Sequence, residues 1–145
     1  MMLSIFPIDF GTPEYDESVA LRFAILRKPL GLEFTPEQLS TEWSDTHLAA
    51  FDLQGKMVGI LLLTPKNEQE VKMRQVAVAA DQQGRGVGTA LVAASEALAK
   101  NLNFKQITLH AREAAVPFYL HLGYKIVGER FEEVGIPHFG MEKVL

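Results

Sequence analysis

The sequence predicts an α+β fold: a twisted, mostly antiparallel sheet of about seven strands with one central parallel pair, flanked by about four helices. Three observations predict it. Residues Val76 to Lys100, "VAVAADQQGRGVGTALVAASEALAK", change from the alternation of a strand to the recurrence of a helix, and a further strand, "KQITLHA" (Lys105 to Ala111), follows. That β-α-β order makes a parallel pair joined by a right-handed crossover. Before it, "HLAAFDLQ", "MVGILLLTP" and "EQEVKMRQVAV" are separated only by Gly55-Lys56 and Pro65-Lys66-Asn67, the pattern of an antiparallel meander. After it, "YKIVGERF" and "HFGMEKVL" close the chain as two more strands around "EEVGIP".

The remaining elements follow in order. "LSIFPI" (Leu3 to Ile8) carries Pro7 near its end and reads as an edge or first strand. Asp16 to Lys28 places Val19, Phe23 and Leu26 on one helical stripe, ended by Pro29 and Gly31. Thr35 is an N-cap for a shorter second helix, with Pro36 at the first helical position, where a missing N–H costs nothing. The third helix runs from Gly86 to Lys100 with an apolar stripe of Val87, Leu91, Ala94 and Leu98, opposite Thr89, Ala93, Glu96 and Lys100. The fourth spans Val116 to Leu122, with Pro117 in its first turn and Gly123 at C′.

Bulk properties narrow the function classes. A chain of 145 residues, 48% apolar and 22% charged, is one ordinary globular domain, and residues 1–145 read as such. Net charge is −4 with no run of Lys and Arg, so nucleic acid is not an expected partner. The longest apolar run, Met57 to Leu63, is too short to span a bilayer, and no Lys or Arg precedes Arg22 to start a signal peptide, so a cytoplasmic protein without a membrane partner is expected. Cysteine is absent, which removes disulfides, thiolate metal sites and a cysteine nucleophile. His47, His110, His121 and His138 lack metal-ligand spacing, and no metal is expected.

The three glycines at the mouth of the third helix carry the functional signal. A strand, a glycine-rich turn and a helix together aim several backbone N–H groups and the positive end of a helix dipole at one point, which suits an anion, phosphate above all. Two familiar phosphate loops do not fit. A nucleotide P-loop needs a Lys that is missing here, and the dinucleotide G-x-G-x-x-G fails because position 89 is Thr.

The pattern present is Q-x-x-G-x-G, as Gln83, Gly86 and Gly88, after a strand ending Val76-Ala77-Val78. With this loop, and with the A-x-x-F-Y-x-x-x-G-[FY] run formed by Ala115, Phe118, Tyr119, Gly123 and Tyr124, the sequence resembles the GNAT superfamily of N-acetyltransferases. Its ending, "GERFEEVGIPHFGMEKVL", is similar to a subgroup of small bacterial members. The resemblance is close over the C-terminal half and rests on element order in the first half. It implies a GNAT fold and acetyl-CoA as co-substrate. It further implies a bulge that frees backbone groups of Val76, Ala77 and Val78 for the pantetheine arm, and a diphosphate held by the amides of Gln83, Gly84, Arg85, Gly86, Val87, Gly88 and Thr89. Arg112, Ala115 and Phe118 are the remaining implied cofactor contacts, although Arg112 also reads as an exposed strand end and Phe118 as core. A homodimer through the last strands is in keeping with such a family.

With neither cysteine nor a G-x-S-x-G elbow, an acyl-enzyme is not expected, and direct attack by a bound primary amine is the simplest course. The resemblance puts Tyr119 beside the thioester sulfur as catalytic proton donor to the leaving thiolate. An alkylamine arrives as ammonium and must lose a proton; Glu33, Glu129, Glu132, Glu133, His110 and His138 are the candidates, and each also reads as ordinary surface. Trp43 lies where such folds overhang the acceptor, or is a packing residue. The competing class is a non-catalytic acyl-CoA sensor that keeps the loop without turnover; a nucleotide-binding module is disfavoured by the failed motifs.

Overall fold

A computed structural model of the protein describes residues 2–145. The strands are β1 (Ser4–Ile8), β2 (Thr46–Phe51), β3 (Met57–Pro65), β4 (Glu70–Val78), β5 (Gln106–Arg112), β6 (Lys125–Glu133) and β7 (Ile136–Val144), and the helices are α1 (Pro13–Arg22), α2 (Pro36–Ser40), α3 (Val87–Asn101) and α4 (Val116–His121). One seven-stranded sheet has the order β1-β2-β3-β4-β5-β7-β6. β4 and β5 are parallel, as the β-α-β order requires, while β1/β2, β2/β3, β5/β7 and β6/β7 are antiparallel. The chain divides into two compact units, 1–64 with 75–95, and 65–74 with 96–145.

In the first unit β3 is buried on both faces, which is why it reads as an unbroken apolar run rather than an alternating one. Ile60 and Leu62 join Ile8, Ala49, Phe51, Met57 and Ala77 in a cluster covered by Leu21, Ile25 and Leu26. On the other side Gly59 meets α3: a Cβ there would lie 2.6 Å from Leu91 Cδ1 and 3.0 Å from Val87 Cγ1. The bare glycine lets the first turns of α3 press onto the strand, and so sets where the turn before the helix is held.

Helix α1 begins three residues before the expected Asp16. Thr12 caps it by accepting from Tyr15 N at 3.2 Å, and Pro13 opens the first turn. Its most deeply buried face is Tyr15, Ser18 and Arg22, while the expected stripe of Val19, Phe23 and Leu26 is only half-buried. Hydrophobic periodicity missed this face because its residues are polar and find partners inside. The helix ends through a wider π turn (Phe23–Arg27) and a 3₁₀ turn (Lys28–Leu30), stopped by Gly31 at φ 68°. In α2 the Thr35 cap is a full capping box with Gln38.

In the second unit, the closing hairpin is tighter than "EEVGIP" suggests. Val134 (φ 48°) and Gly135 (φ 78°) make a two-residue turn, and Glu133 pairs directly with Ile136, so Glu132, Glu133, Ile136 and Pro137 belong to strands. On α3 the buried residues are Val87, Leu91, Val92, Ser95 and Ala99; Ala94 and Leu98 are half-buried, so the true stripe is rotated from the expected one. Glu96 is not on the solvent face. It accepts from Tyr124 Oη at 2.9 Å and from Lys143 Nζ at 3.0 Å, and Lys143 also donates to Leu122 O at 2.8 Å. That network holds the end of α4, where Gly123 takes φ 94°.

Candidate acyl-donor and proton-transfer site

The glycine turn has the geometry that an anion cradle needs. After a 3₁₀ turn (Ala80–Gln82), Gly84 and Gly86 adopt φ 77° and 86°, values that cost a residue with a Cβ roughly 1–2 kcal/mol. No atom lies within 4 Å of a Cβ built on either glycine, so the backbone conformation, not crowding by neighbouring protein, demands glycine there. Among the described residues no N–H from 83 to 89 reaches a backbone acceptor with hydrogen-bond geometry; the first to do so is Ala90, which donates to Gly86 O at 3.0 Å. Residues 83 to 86 and Thr89 are exposed, whereas the Val87 side chain is core, so only its amide is available. Gln83 is braced inward, donating through Nε2 to Val78 O at 3.1 Å. Its side chain therefore shapes the turn and ties it back to the end of β4.

The strand leading to this turn is kinked. The parallel ladder between β4 and β5 runs from Glu70↔Gln106 to Met73↔Leu109 and stops, and Gln75 then takes φ 56°, a left-handed conformation rare outside glycine. Such breaks re-aim the residues that follow and release ladder donors. Beyond it Val76 and Val78 are half-buried while the Ala77 side chain is core.

Tyr119 sits on the inner face of α4, 7% exposed, with Phe118 and Tyr124 edge-on to it at ring-centroid distances of 5.0 and 5.7 Å. Its hydroxyl has no hydrogen-bond partner among the described residues. Burial pushes its pKa up to about 12. A short helix with Pro117 near its start and Gly123 past its end fixes this placement, as the spacing predicts. Phe118 and Ala115 are half-buried, as is Arg112 at the end of β5.

Three of the proton-acceptor candidates come together. His110 Nδ1 lies 2.9 Å from Glu133 Oε1, and His138 Nε2 lies 3.6 Å from Glu133 Oε2. His138 Nδ1 contacts Ile136 O at 2.9 Å, and Lys72 Nζ is 3.4 Å from His110 Nδ1. Phe131 packs against both imidazoles, edge-on to His110 and stacked on His138. Partial burial works to raise the Glu133 pKa, but the His110 hydrogen bond and the charges of His110, His138 and Lys72 outweigh it and the net shift is downward. The short hairpin turn makes the cluster: it puts Glu133 two rungs from the Phe131–His138 pair, on the same face of β6, from which it reaches across β7 to His110 of β5.

The family description of the acetyltransferase (GNAT) domain matches residues 27–145. The chain belongs to this family. The fission yeast UPF0039 protein C11D3.02c is 31% identical over 97 residues, 66% of this chain and 65% of that protein. A Bacillus subtilis protein described as an uncharacterized N-acetyltransferase, YjcF, is 34% identical over 73 residues, covering 50% of this chain and 52% of the relative. The aligned segments thus span half to two thirds of these relatives. A GNAT family acetyltransferase from Elizabethkingia anophelis, solved with acetyl-CoA bound, superposes with a TM-score of 0.76 at 21% identity over 99% of this chain and 98% of that one, a likeness in fold.

Not every candidate of this GNAT chain assembles. Glu33, Glu129 and Glu132 are exposed and take no part in the cluster. Trp43 is 71% exposed, so it is not the packing residue that a lone tryptophan usually is. Sequence reasoning missed a buried network altogether. Arg22, fully buried, makes a two-pronged ion pair with Glu42 at 2.9 and 2.6 Å; Tyr15 Oη donates to Glu42 Oε1 at 2.8 Å, and Arg22 Nε reaches Gln75 Oε1 at 3.4 Å. Burial, the Glu42 hydrogen bond and its charge raise Tyr15 to about 12. For Glu42 burial works upward, but Arg22 prevails and the carboxyl stays below its ordinary range. The left-handed Gln75 is thereby tied to α1. The signal was present only as i, i+3, i+7 spacing of Tyr15, Ser18 and Arg22, which no apolar pattern registers. Among the described residues no group of His, Asp and Glu is arranged to hold a metal, and no helix is long and apolar enough to cross a membrane.

Proposed function

We propose that residues 1–145 form a single acetyl-CoA-dependent N-acetyltransferase domain that transfers the acetyl group directly to a primary amine of a small molecule or peptide. The observation that carries this reading is the run of unpaired amides from 83 to 89, held open by two left-handed glycines at the positive end of a fifteen-residue helix. The diphosphate of acetyl-CoA suits such a cradle, and several amides acting together are needed because each dipole contact contributes only about 0.3–2 kcal/mol.

In this reading the N–H groups of Val76 and Val78 pair with the pantetheine arm, and one of them stabilises the oxyanion as the amine attacks. Arg112, Ala115 and Phe118 complete the donor contacts, with Arg85 adding charge at the phosphates. Tyr119 offers its O–H to the leaving sulfur. Its pKa of about 12 makes it a hydrogen-bond donor rather than a full acid, since complete transfer to a thiolate whose acid lies near ~8.5 runs uphill by roughly 5 kcal/mol. No acyl-enzyme is involved, because the chain has no cysteine and no nucleophile elbow.

The test has two parts. Titration calorimetry should give saturable acetyl-CoA binding that ATP does not displace. Release of free thiol should then rise when polyamines, aminoglycosides, amino acids or peptides are added. Tight binding with no thiol release for any amine would instead mark an acyl-CoA sensor.

A further inference from the structure

We propose that His110 is the base that removes the acceptor's ammonium proton, and that Glu133 positions it for that work. The inference rests on the acetyltransferase reading above and goes beyond it by naming the proton acceptor and the charge state of the substrate.

The argument starts from which ring nitrogen carries the proton. Glu133, an ionised carboxylate, can only accept, so at 2.9 Å the His110 Nδ1 must be the donor. Lys72 Nζ, 3.4 Å from the same nitrogen, is also only a donor and cannot supply the bond that Nδ1 needs. A neutral ring with Nδ1–H has its lone pair on Nε2, the arrangement in which a carboxylate orients an imidazole as a base. The ring is held from the side by Phe131 at 4.9 Å, 39% of the side chain is exposed, and among the described residues no hydrogen bond engages Nε2. His110 is also the first residue of β5 beyond the last rung of its ladder with β4.

The surroundings suit a cationic substrate. Lys72 from β4 and Glu133 from β6 face the ring, His138 from β7 meets the other oxygen of Glu133, and Arg130 turns instead to Glu113 at 3.4 Å. Glu133 accepts through one oxygen from His110; its other oxygen faces His138 Nε2 at 3.6 Å, and 45% of its side chain is exposed, so an incoming ammonium meets a negative charge beside the base. His138 Nδ1 donates to Ile136 O, so a second proton on that ring would arrive at Nε2, facing Glu133.

The balance is simple. One N–H bond of the ammonium breaks and its proton passes to His110 Nε2 and then to water. The freed lone pair forms the C–N bond as the C–S bond breaks. The sulfur leaves as a thiolate held by the Tyr119 hydrogen bond, and the second proton lost by nitrogen passes to water, from which the thiolate is later protonated.

At pH 7 only about one alkylamine molecule in a few thousand is neutral, so a base at the site matters most there and least near the amine's own pKa of about 10. The experiment is kcat/KM for a primary alkylamine found by thiol release, measured from pH 6.5 to 9.5 for wild type, His110→Gln and Glu133→Gln, with acetyl-CoA affinity measured alongside. His110→Gln should lose about a hundredfold or more at pH 7 and recover to within several-fold at pH 9.5, with acetyl-CoA affinity unchanged. Glu133→Gln should lose less and show the same pH recovery. ¹⁵N spectra of wild type should show the neutral His110 ring carrying its proton on Nδ1. A deficit constant across pH, or none, or a neutral ring with its proton on Nε2, overturns the proposal and leaves the acetyltransferase reading standing. A wild type without turnover for any amine overturns both.

Discussion

Replacing Tyr119 by Phe separates catalysis from structure at a single atom. The hydroxyl has no hydrogen-bond partner among the described residues, and the ring contacts with Phe118 and Tyr124 survive the change, so stability should hold or rise slightly. What is lost is the hydrogen bond to the sulfur as it becomes a thiolate. A hydrogen bond to a charged group contributes about 1.5–3 kcal/mol, or roughly 10- to 150-fold in rate, and the raised pKa argues against the larger factor of full proton transfer. The prediction is a fall in kcat of that size, with acetyl-CoA affinity within about twofold and Tm unchanged or higher. Because the phenol near 12 stays protonated, no descending limb from Tyr119 should appear in the wild-type pH profile below pH 10. Stopped-flow thiol release, calorimetry and thermal melts on one preparation check all four quantities. An unchanged kcat, or an equal loss in acetyl-CoA affinity, refutes the donor role.

The alkaline limb of stability should carry the signature of buried phenols. All three tyrosines have raised pKa values, two of them about 12, so the stabilisation they contribute is complete below their unfolded value near ~10 and is lost as pH climbs toward 12. Absorbance near ~295 nm should show little tyrosinate below pH 10 and then one cooperative rise that coincides with unfolding by circular dichroism; an early, separate tyrosine step would contradict the burial. Glu42→Gln leaves Arg22 buried without its counter-charge and should cost about 3–5 kcal/mol by chemical denaturation, whereas the double change Arg22→Met with Glu42→Leu should recover much of it. Gly86→Ala should cost about 1–2 kcal/mol from its φ of 86° and weaken acetyl-CoA binding, while Gly59→Ala, which overpacks Leu91, should cost about 1–3 kcal/mol. Equal effects of Gly86→Ala and Gly59→Ala on acetyl-CoA affinity would mean that the turn has no special part in binding.

Much of the architecture was legible because it rests on local signals. The change of period at the glycines, Thr35 before Pro36, and Pro117 with Gly123 around α4 each act within one or two turns of chain, and each is found where expected. The α1 and α3 stripes were misjudged where burial is set by a distant partner: Arg22 is buried because Glu42 meets it, and Glu96 is drawn from solvent by Tyr124 and Lys143. The proton-acceptor candidates illustrate the same limit. His110, Glu133 and His138 looked no different from Glu33, Glu129 and Glu132 until the hairpin register brought the first three within 4 Å.

The amino-acid order by itself determined the elements, the parallel crossover and the glycine turn, because backbone dihedral preferences, capping and apolar period are properties of neighbouring residues. Only tertiary structure decided which polar side chains share a site and which are buried. Those outcomes depend on strand register and on desolvation by residues tens of positions away: one rung of slip in the last hairpin would move Glu133 to the opposite face of the sheet and dissolve the cluster.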